Sequence, residues 1–132
     1  MNFNGKTYED RFRELYSTVA KKYNLYIKKQ SIDTMVLEGH SFELIVSINF
    51  DGAFVKYKNL NDQKIYEISN FLAINTDDID RKDIKKSDII AKYVDNSLII
   101  KRNVLARKFA NLLDGKLDWF GRYIESQYYW EL

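Results

Sequence analysis

The sequence predicts a single α+β domain over residues 1–132, with an N-terminal helix, an antiparallel β-meander of three to five strands and a helical C-terminal half. The length is typical of one domain. Apolar residues recur at intervals of three and four near both ends of the chain, and they alternate with polar residues in the middle. A hydrophobic fraction of 45% and a charged fraction of 30% are ordinary for a globular protein that buries a core.

Residues 8–23 predict an amphipathic helix at the start of the chain. Thr7 followed by Asp10 resembles a capping box, with Asp in place of the usual Glu or Gln. Lys21 and Lys22 fall in the last turn, where positive charge suits the helix dipole. The apolar stripe of this helix consists of Tyr8, Phe12, Leu15, Tyr16, Val19 and Tyr23.

Alternation of apolar and polar residues predicts a half-buried strand over residues 41–50. Asp51-Gly52 follows at once and is a strong hairpin signal, so we expect residues 53–58 to form the return strand. Ile45 is the one apolar residue among the polar ones on the outward face. The residues predicted to face the core are Phe42, Leu44, Val46, Ile48 and Phe50.

Further strands are predicted on both sides of this hairpin. Residues 32–38 form one, joined to the hairpin by the turn Glu38-Gly39-His40, and residues 64–69 form another, after a loop at 59–62. The longest version of the meander adds a short strand at 25–28. Because a sheet with one apolar face needs a cover, we expect the N-terminal helix to pack on it.

Residues from Ser87 onward predict helices, and two interpretations are open where Asp95-Asn96-Ser97 interrupts the apolar pattern. In the first, one helix continues through the interruption, which places Arg102 within its apolar arc. In the second, residues 97–101 form an extended strand, followed by a helix that Asn103 caps.

The end of the chain predicts a helix boundary and one more helix. Gly115 is a typical C-terminal cap. The apolar residues expected to pack the last helix are Leu117, Phe120, Tyr123 and Ile124.

The residues available for catalysis are few. The absence of cysteine excludes disulfides, thiolate nucleophiles and cysteine zinc sites. His40, the single histidine, has no evident partner to orient it, so we expect an exposed turn residue and not a catalytic base. Asp51, Asp62 and Lys64 mimic the acids and lysine of some metal-dependent nucleases, but turn chemistry already accounts for Asp51. We therefore predict no enzyme activity, no catalytic residue, no metal site and no cofactor.

Five aspartates are concentrated in one predicted connection, namely Asp77, Asp78, Asp80, Asp83 and Asp88. The glycine and terminal glutamate of a calcium loop are missing. One interpretation is a solvated loop before a helix N-terminus, where aspartates are favourable. The other is an electrostatic contact with a basic protein partner, made by Asp77, Asp78, Asp80 and Asp83.

Basic residues form a second candidate surface. Residues 96–113 contain no acid, and Lys56 and Lys58 share one face of a predicted strand. Such residues could contact phosphates, but the four cations of the first stretch do not share a helical face, and no Gly-rich phosphate loop or RNA-binding motif is present. With a net charge of +2, nucleic acid is the alternative partner and not the favoured one. The four cations are Lys101, Arg102, Arg107 and Lys108.

Aromatic residues are concentrated at the C-terminus, namely Trp119, Phe120, Tyr123, Tyr128, Tyr129 and Trp130. We expect most of them to close the core. For Tyr128, Tyr129 and Trp130 two interpretations are open, since they either pack against the domain or anchor a partner protein.

The sequence also predicts a compartment. The N-terminus lacks the apolar stretch of a signal peptide, and no apolar run approaches the ~20 residues of a membrane span. We expect a cytoplasmic protein that binds neither a membrane nor a small-molecule ligand.

In its size, its helix–meander–helices order, its Asp51-Gly52 hairpin and its acidic stretch from Asp77 to Asp88, the chain resembles bacterial immunity proteins. These are small cytoplasmic partners that neutralise toxin domains of contact-dependent inhibition and other polymorphic toxin systems. The resemblance implies a tight one-to-one complex that covers the toxin's active site or substrate-binding surface. Partners of basic nuclease toxins are often acidic, so a net charge of +2 implies either local acidity or a toxin that is not strongly basic.

The sequence therefore predicts a small protein-binding protein whose partner is a cognate toxin. Its expected contacts are the acidic connection and the C-terminal aromatic residues. The alternatives are a nucleic-acid-binding accessory protein of phage origin and a small enzyme with unrecognised chemistry.

Overall fold

The computed structural model describes residues 7–49, 51–82, 84 and 90–132, with the backbone alone at residues 90 and 91. The protein is α+β, as predicted, with an N-terminal helix, a five-stranded antiparallel sheet and C-terminal helices. The elements are α1 (Tyr8–Lys22), β1 (Tyr26–Ser31), β2 (Thr34–Glu38), β3 (Phe42–Asn49), β4 (Gly52–Asn59), β5 (Ile65–Glu67), α2 (Ser69–Ile74), α3 (Ile90–Lys108), α4 (Ala110–Leu113) and α5 (Phe120–Glu125).

The sheet is a meander in which every strand pairs with its neighbours in the chain, in the order β1-β2-β3-β4-β5. The register across the centre aligns Met35 with Val46 and Val46 with Val55. The alternation predicted for β3 is confirmed, because its inward residues Phe42, Leu44, Val46 and Ile48 are all buried. Phe50, the fifth residue of that predicted set, lies outside the described residues.

Some strand boundaries differ from the predicted ones. The strand predicted at 32–38 begins at Thr34, because Ile32 and Asp33 form the β1–β2 turn, in which the Ser31 hydroxyl donates to the Asp33 carboxylate at 2.8 Å. Asn49 pairs with Gly52, so Gly52 begins β4 and is not a turn residue.

The strand predicted at 64–69 ends at Glu67, because Ser69 begins the unpredicted helix α2. The side chain of Ser69 still forms a hydrogen bond with the backbone of β4. Its hydroxyl accepts a hydrogen bond from the Val55 amide at 2.7 Å, which supplies the partner that a longer β5 would otherwise provide.

Helix α1 covers the sheet with the predicted stripe. Its N-terminus carries a complete capping box, in which Thr7 and Asp10 exchange hydrogen bonds between side chain and backbone. Two buried tyrosines on the stripe also donate across the core. The Tyr8 hydroxyl donates to the Val46 carbonyl of β3 at 2.9 Å, and the Tyr16 hydroxyl donates to the Leu98 carbonyl of α3 at 2.7 Å.

Helix α3 runs without interruption from Ile90 to Lys108, so the alternative strand at 97–101 is wrong. Arg102 lies within the apolar arc, as the continuous helix requires, and its guanidinium is satisfied there. Its Nη1 donates to the Leu15 carbonyl of α1 at 3.3 Å, and its Nε donates to Asn103 Oδ1 at 3.1 Å. Asn103 is therefore an interior residue of α3 and not a cap.

Gly115 ends the next helix, α4, as predicted. Its φ of +83° lies in the region that favours glycine. The amide of Gly115 donates to the Leu112 carbonyl at 2.9 Å and that of Lys116 donates to the Asn111 carbonyl at 2.8 Å, which is the hydrogen-bond pattern of a Schellman motif.

The last helix, α5, packs through different residues from those predicted. Tyr123 is fully buried, but Leu117 and Ile124 are about half exposed, at 50% and 48%. Trp119, immediately before α5, fills the core with 1% of its surface exposed. The chain then returns to the sheet, where Glu131 bridges Tyr66 in antiparallel fashion. Within the part of the chain described, no helix is both long and apolar enough to cross a membrane.

Candidate protein-binding surface

The described helices pack on one face of the sheet and leave the other face without a helical cover. Buried side chains of the helices and of the inward-facing strand residues form one core cluster. Val36 is fully buried but lies outside that cluster, because its register partners Lys28 and Ile45 flank it on the opposite face. We call that opposite face the open face. Its strand residues are Tyr26, Lys28, Ser31, Thr34, Val36, Glu38, Glu43, Ile45, Ser47, Asn49, Phe54, Lys56, Lys58, Ile65 and Glu67.

The end of the chain extends the open face beyond β5. The amide of Glu67 donates to the Trp130 carbonyl at 3.0 Å, and the amide of Leu132 donates to the Ile65 carbonyl at 2.8 Å. Opposed residues of an antiparallel pair share a face, so Trp130 and Leu132 lie on the open face beside Glu67 and Ile65. Trp130 is 60% exposed, which makes it a large accessible aromatic group on this surface.

The charges of the open face differ between its two halves. On the β1–β3 half, Lys28 Nζ lies 2.6 Å from Glu38 Oε2 and 2.9 Å from Glu43 Oε2. The hydrogen bond from Lys28 holds the pKa of Glu38 below its ordinary value. On the β4 half, neither Lys56 nor Lys58 makes a hydrogen bond or ion pair with a residue that the structure describes. That half therefore presents two lysines outside any ion pair with a described residue, with Glu67 the register partner of Lys56 on β5 and Glu43 the register partner of Lys58 on β3.

Apolar side chains flank these two lysines. Ile45 is the register partner of Lys56, and Ile65 is the register partner of Lys58. Phe54 precedes them along β4 on the same face, and all three apolar residues are half-buried. Together with Trp130 they give the β4 half of the open face the mixture of apolar area and charge that is typical of protein interfaces.

The acidic connection lies on the helical side of the molecule, where an ion network occupies two of its aspartates. Arg107 Nη1 lies 2.6 Å from Asp80 Oδ1 and 2.8 Å from Asp77 Oδ1. Lys108 Nζ lies 3.2 Å from Asp80 Oδ2 and 2.9 Å from Asp77 Oδ2. Burial alone would raise the pKa of Asp80, but hydrogen bonds from the Asp77 amide, Arg107 and Lys108 outweigh it and lower that pKa.

The sequence predicts that Asp80 contacts a partner protein, but the buried position of Asp80 is incompatible with such a contact. Asp80 has 0% of its surface exposed and its carboxylate is fully occupied, so it joins α3 to the connection and cannot touch a partner. Asp77 is half-buried and bound to the same two cations. Asp78 is exposed, and Asp83 lies outside the described residues, as does Asp88.

The cations of residues 101–108 do not form a common surface. Arg107 and Lys108 are paired with the two aspartates of the connection, and Arg102 lies between α1 and α3. Lys101 is half-buried on another side of α3. Lys56 and Lys58 are the members of the predicted basic surface that share one exposed face.

The three C-terminal aromatic residues diverge. Tyr128 is half-buried against the core. The Tyr129 ring lies on the helical side, with its centroid 5.5 Å from that of Tyr123 and 6.0 Å from that of Tyr66. Trp130 alone of the three lies on the open face. Tyr128 and Tyr129 thus contact the domain with their rings, whereas the Trp130 side chain is mostly exposed.

Other residues considered for catalysis are not brought together. His40 is exposed in the β2–β3 connection. Asp51 and Asp62 lie beyond opposite ends of the eight-residue strand β4, roughly 26 Å apart, so they do not form a two-acid site with Lys64. No group of three His, Asp or Glu side chains that could hold a metal ion occurs among the residues described.

Sequence reasoning grouped Lys56 with Lys58 but missed Ile45, Ile65 and Leu132 as their neighbours. For Ile45 the sequence does carry a signal, because it is an apolar residue at an outward position of an alternating strand. The chain gives no match to protein-family models, to curated proteins or to solved structures.

Proposed function

We propose that this chain is a protein-binding domain of the immunity-protein type, which neutralises a bacterial toxin domain by docking it on the β4 half of the open face. The observation that carries the proposal is that Lys56 and Lys58, which form no ion pair with a described residue, share the open face with the exposed Trp130, which lies on the far side of β5 from β4. Exposed aromatic anchors of this kind dominate the energetics of protein interfaces.

The chemistry of the surface defines the partner. Two lysines on one strand, separated by one residue, present ammonium groups about 7 Å apart along the strand. A folded partner that places a pair of carboxylates opposite them, with an apolar pocket for Trp130, would be complementary in both charge and shape. Electrostatic attraction would speed association, and the desolvated aromatic contact would slow dissociation.

This partner differs from the basic one expected from the acidic connection. Arg107 and Lys108 already pair with Asp77 and Asp80, so these two aspartates do not serve a basic partner. The electrostatic contact that we propose instead joins the lysines of the open face to an acidic partner. An acidic toxin surface also agrees better with a chain whose net charge is +2.

A second candidate is single-stranded nucleic acid. The observation in its favour is that Phe54, Lys56 and Lys58 share one face of β4, since aromatic rings and lysines together bind bases and phosphates. Glu38 and Glu43 on the same sheet face oppose a phosphate chain that would cross the strands, so we favour a protein partner.

The test begins with the neighbouring genes. The product of each gene adjacent to the gene for this chain is expressed alone and together with the chain, and growth of the host and co-purification are recorded. We expect co-expression to restore growth and to yield a one-to-one complex, and we expect Trp130→Ala to weaken that complex at least tenfold. If no complex forms and the purified chain retains single-stranded DNA or RNA instead, the nucleic-acid function replaces this one.

A further inference from the structure

Lys101 on α3 forms no direct ion pair with a residue that the structure describes. The Lys101 side chain is half-buried and makes no hydrogen bond or ion pair with a described residue. Burial lowers its pKa, while the field of Glu67 on β5 acts in the opposite direction. Glu67 itself is engaged elsewhere, because its Oε1 accepts from the Ser69 amide at 2.8 Å. A partly buried ammonium is costly to desolvate, and ionisable groups with perturbed pKa values are concentrated at functional sites.

A cavity of about 230 Å³ lies next to this ammonium. Its walls come from α3 and from residue 84, and they are formed by Ile84, Tyr93, Asn96, Ser97, Ile100 and Lys101. The β3–β4 hairpin closes in at one side, since a Cβ on Gly52 would come within 3.0 Å of Ser97 Oγ. The cavity is thus a structural feature of the contact between α3 and the hairpin.

Two of the polar residues that line the cavity, Ser97 and Lys101, can donate a hydrogen bond to a ligand. Ser97 Oγ accepts from the Ala53 amide at 3.0 Å, and its own hydroxyl proton has no acceptor among the described residues. Lys101 lies one helical turn further along α3, on the same side as Ser97. A ligand that enters between them meets one cation and one neutral donor, against the apolar surfaces of Ile84 and Ile100.

We propose that this cavity binds a small organic carboxylate, whose carboxylate group accepts from Lys101 and Ser97 and whose apolar body packs on Ile84 and Ile100. The volume is below the ~300 Å³ at which pockets for drug-sized ligands begin, so the ligand is of about the size of benzoate. This site is separate from the open face, and the inference does not rest on the proposed protein partner.

The test uses benzoate as the probe and its neutral isostere benzamide as the matched control ligand. Binding is followed in the full chain by amide chemical shifts and by calorimetry at neutral pH and low salt. We expect benzoate to shift the amides of residues 52, 53 and 93–101 with a millimolar dissociation constant, and benzamide to bind at least tenfold more weakly. Equal binding of the two ligands, or no shift with benzoate, would overturn the proposal.

Two variants separate the ligand role of Lys101 from a structural one. Lys101→Met removes the desolvation cost of a partly buried charge, so we expect it to keep or raise the melting temperature while it reduces benzoate affinity at least tenfold. Lys92→Met, an exposed lysine on the same helix, is the control and should leave both properties unchanged. A Lys101→Met protein that binds benzoate as wild type does, or that melts at a lower temperature, would contradict the assignment.

Discussion

Arg11 of α1 and Asp95 of α3 form a two-pronged ion pair, with Nε 2.5 Å from Oδ1 and Nη2 2.9 Å from Oδ2. Both side chains are mostly shielded from solvent, at 26% and 19% exposed. The hydrogen bonds that Arg11 donates to Asp95 raise the pKa of Arg11 above its already high value. The pair joins two helices across the layer, and it gives Asp95 a tertiary partner at the point where the sequence pattern of α3 is interrupted.

Removing that pair should destabilise the domain. Asp95→Asn leaves the Arg11 guanidinium with only the Glu14 carboxylate of its own helix, at 3.0 Å, so we expect the free energy of unfolding to fall by about 2 kcal/mol, the usual size for a charge-assisted hydrogen bond. Arg13→Gln is the control, because it breaks the exposed Arg13–Glu9 pair within α1 and should cost no more than about 0.5 kcal/mol. Urea unfolding of the three proteins makes the comparison, and equal losses for the two variants would contradict the role of Asp95.

The inward register of β3 is tested by a charge in the core. Val46 has 0% of its surface exposed, so Val46→Asp should cost about 3–5 kcal/mol as an unpaired buried carboxylate. Asn49→Asp adds the same charge at an exposed position of the same strand and should change stability little. Thermal melts of both variants report the difference, and an unchanged melt for Val46→Asp would refute the register.

The network at Asp80 should make stability depend on acid pH. A carboxyl whose pKa is lowered by folding stabilises the protein fully above its ordinary value of 3.8 and loses that contribution as the pH falls through the lowered native value. We therefore expect unfolding to become easier as the pH drops below about 4. Asp80→Asn should cost about 2 kcal/mol at pH 7 and flatten this dependence, whereas Asp78→Asn, at an exposed aspartate, should leave the profile intact. Parallel acid titrations for wild type and Asp80→Asn would argue against the network.

Local periodicity made much of the fold predictable. The stripe of α1 and the alternation of β3 are properties of neighbouring residues, because a helix and a strand each repeat their buried positions at a fixed spacing. The expected capping box at Thr7 and the glycine cap at Gly115 are confirmed for the same reason: both depend on contacts within a few residues.

Long-range contacts decided what sequence reasoning left open or missed. A charged residue in the apolar arc is unfavourable for a continuous α3 on local grounds. The acceptor that satisfies Arg102, the Leu15 carbonyl, lies on another helix, so the local pattern does not indicate it. Asp80 belongs to a hydrophilic stretch, which predicts an exposed residue. Its carboxylate is buried because Arg107 and Lys108 of α3 form ion pairs with it. The pairing of the chain end with β5 uses backbone groups, which leave no periodic signal in the sequence. The open face followed from the strand alternation, but its extension to Trp130 did not.

The most direct test of the central claim is the affinity of the complex with the neighbouring gene product, measured by calorimetry for wild type and two double variants. Lys56→Glu/Lys58→Glu reverses the charges of the β4 half of the open face, whereas Lys92→Glu/Lys116→Glu makes the same net change at exposed positions of the helical side. Because the open-face variant sets glutamates opposite Glu67 and Glu43, we expect it to melt at a lower temperature than the control, so the affinities are compared at a temperature at which all three proteins are folded. We predict that the open-face variant binds at least a hundredfold more weakly while the control binds as wild type does. Equal affinity for all three proteins would contradict docking on the open face.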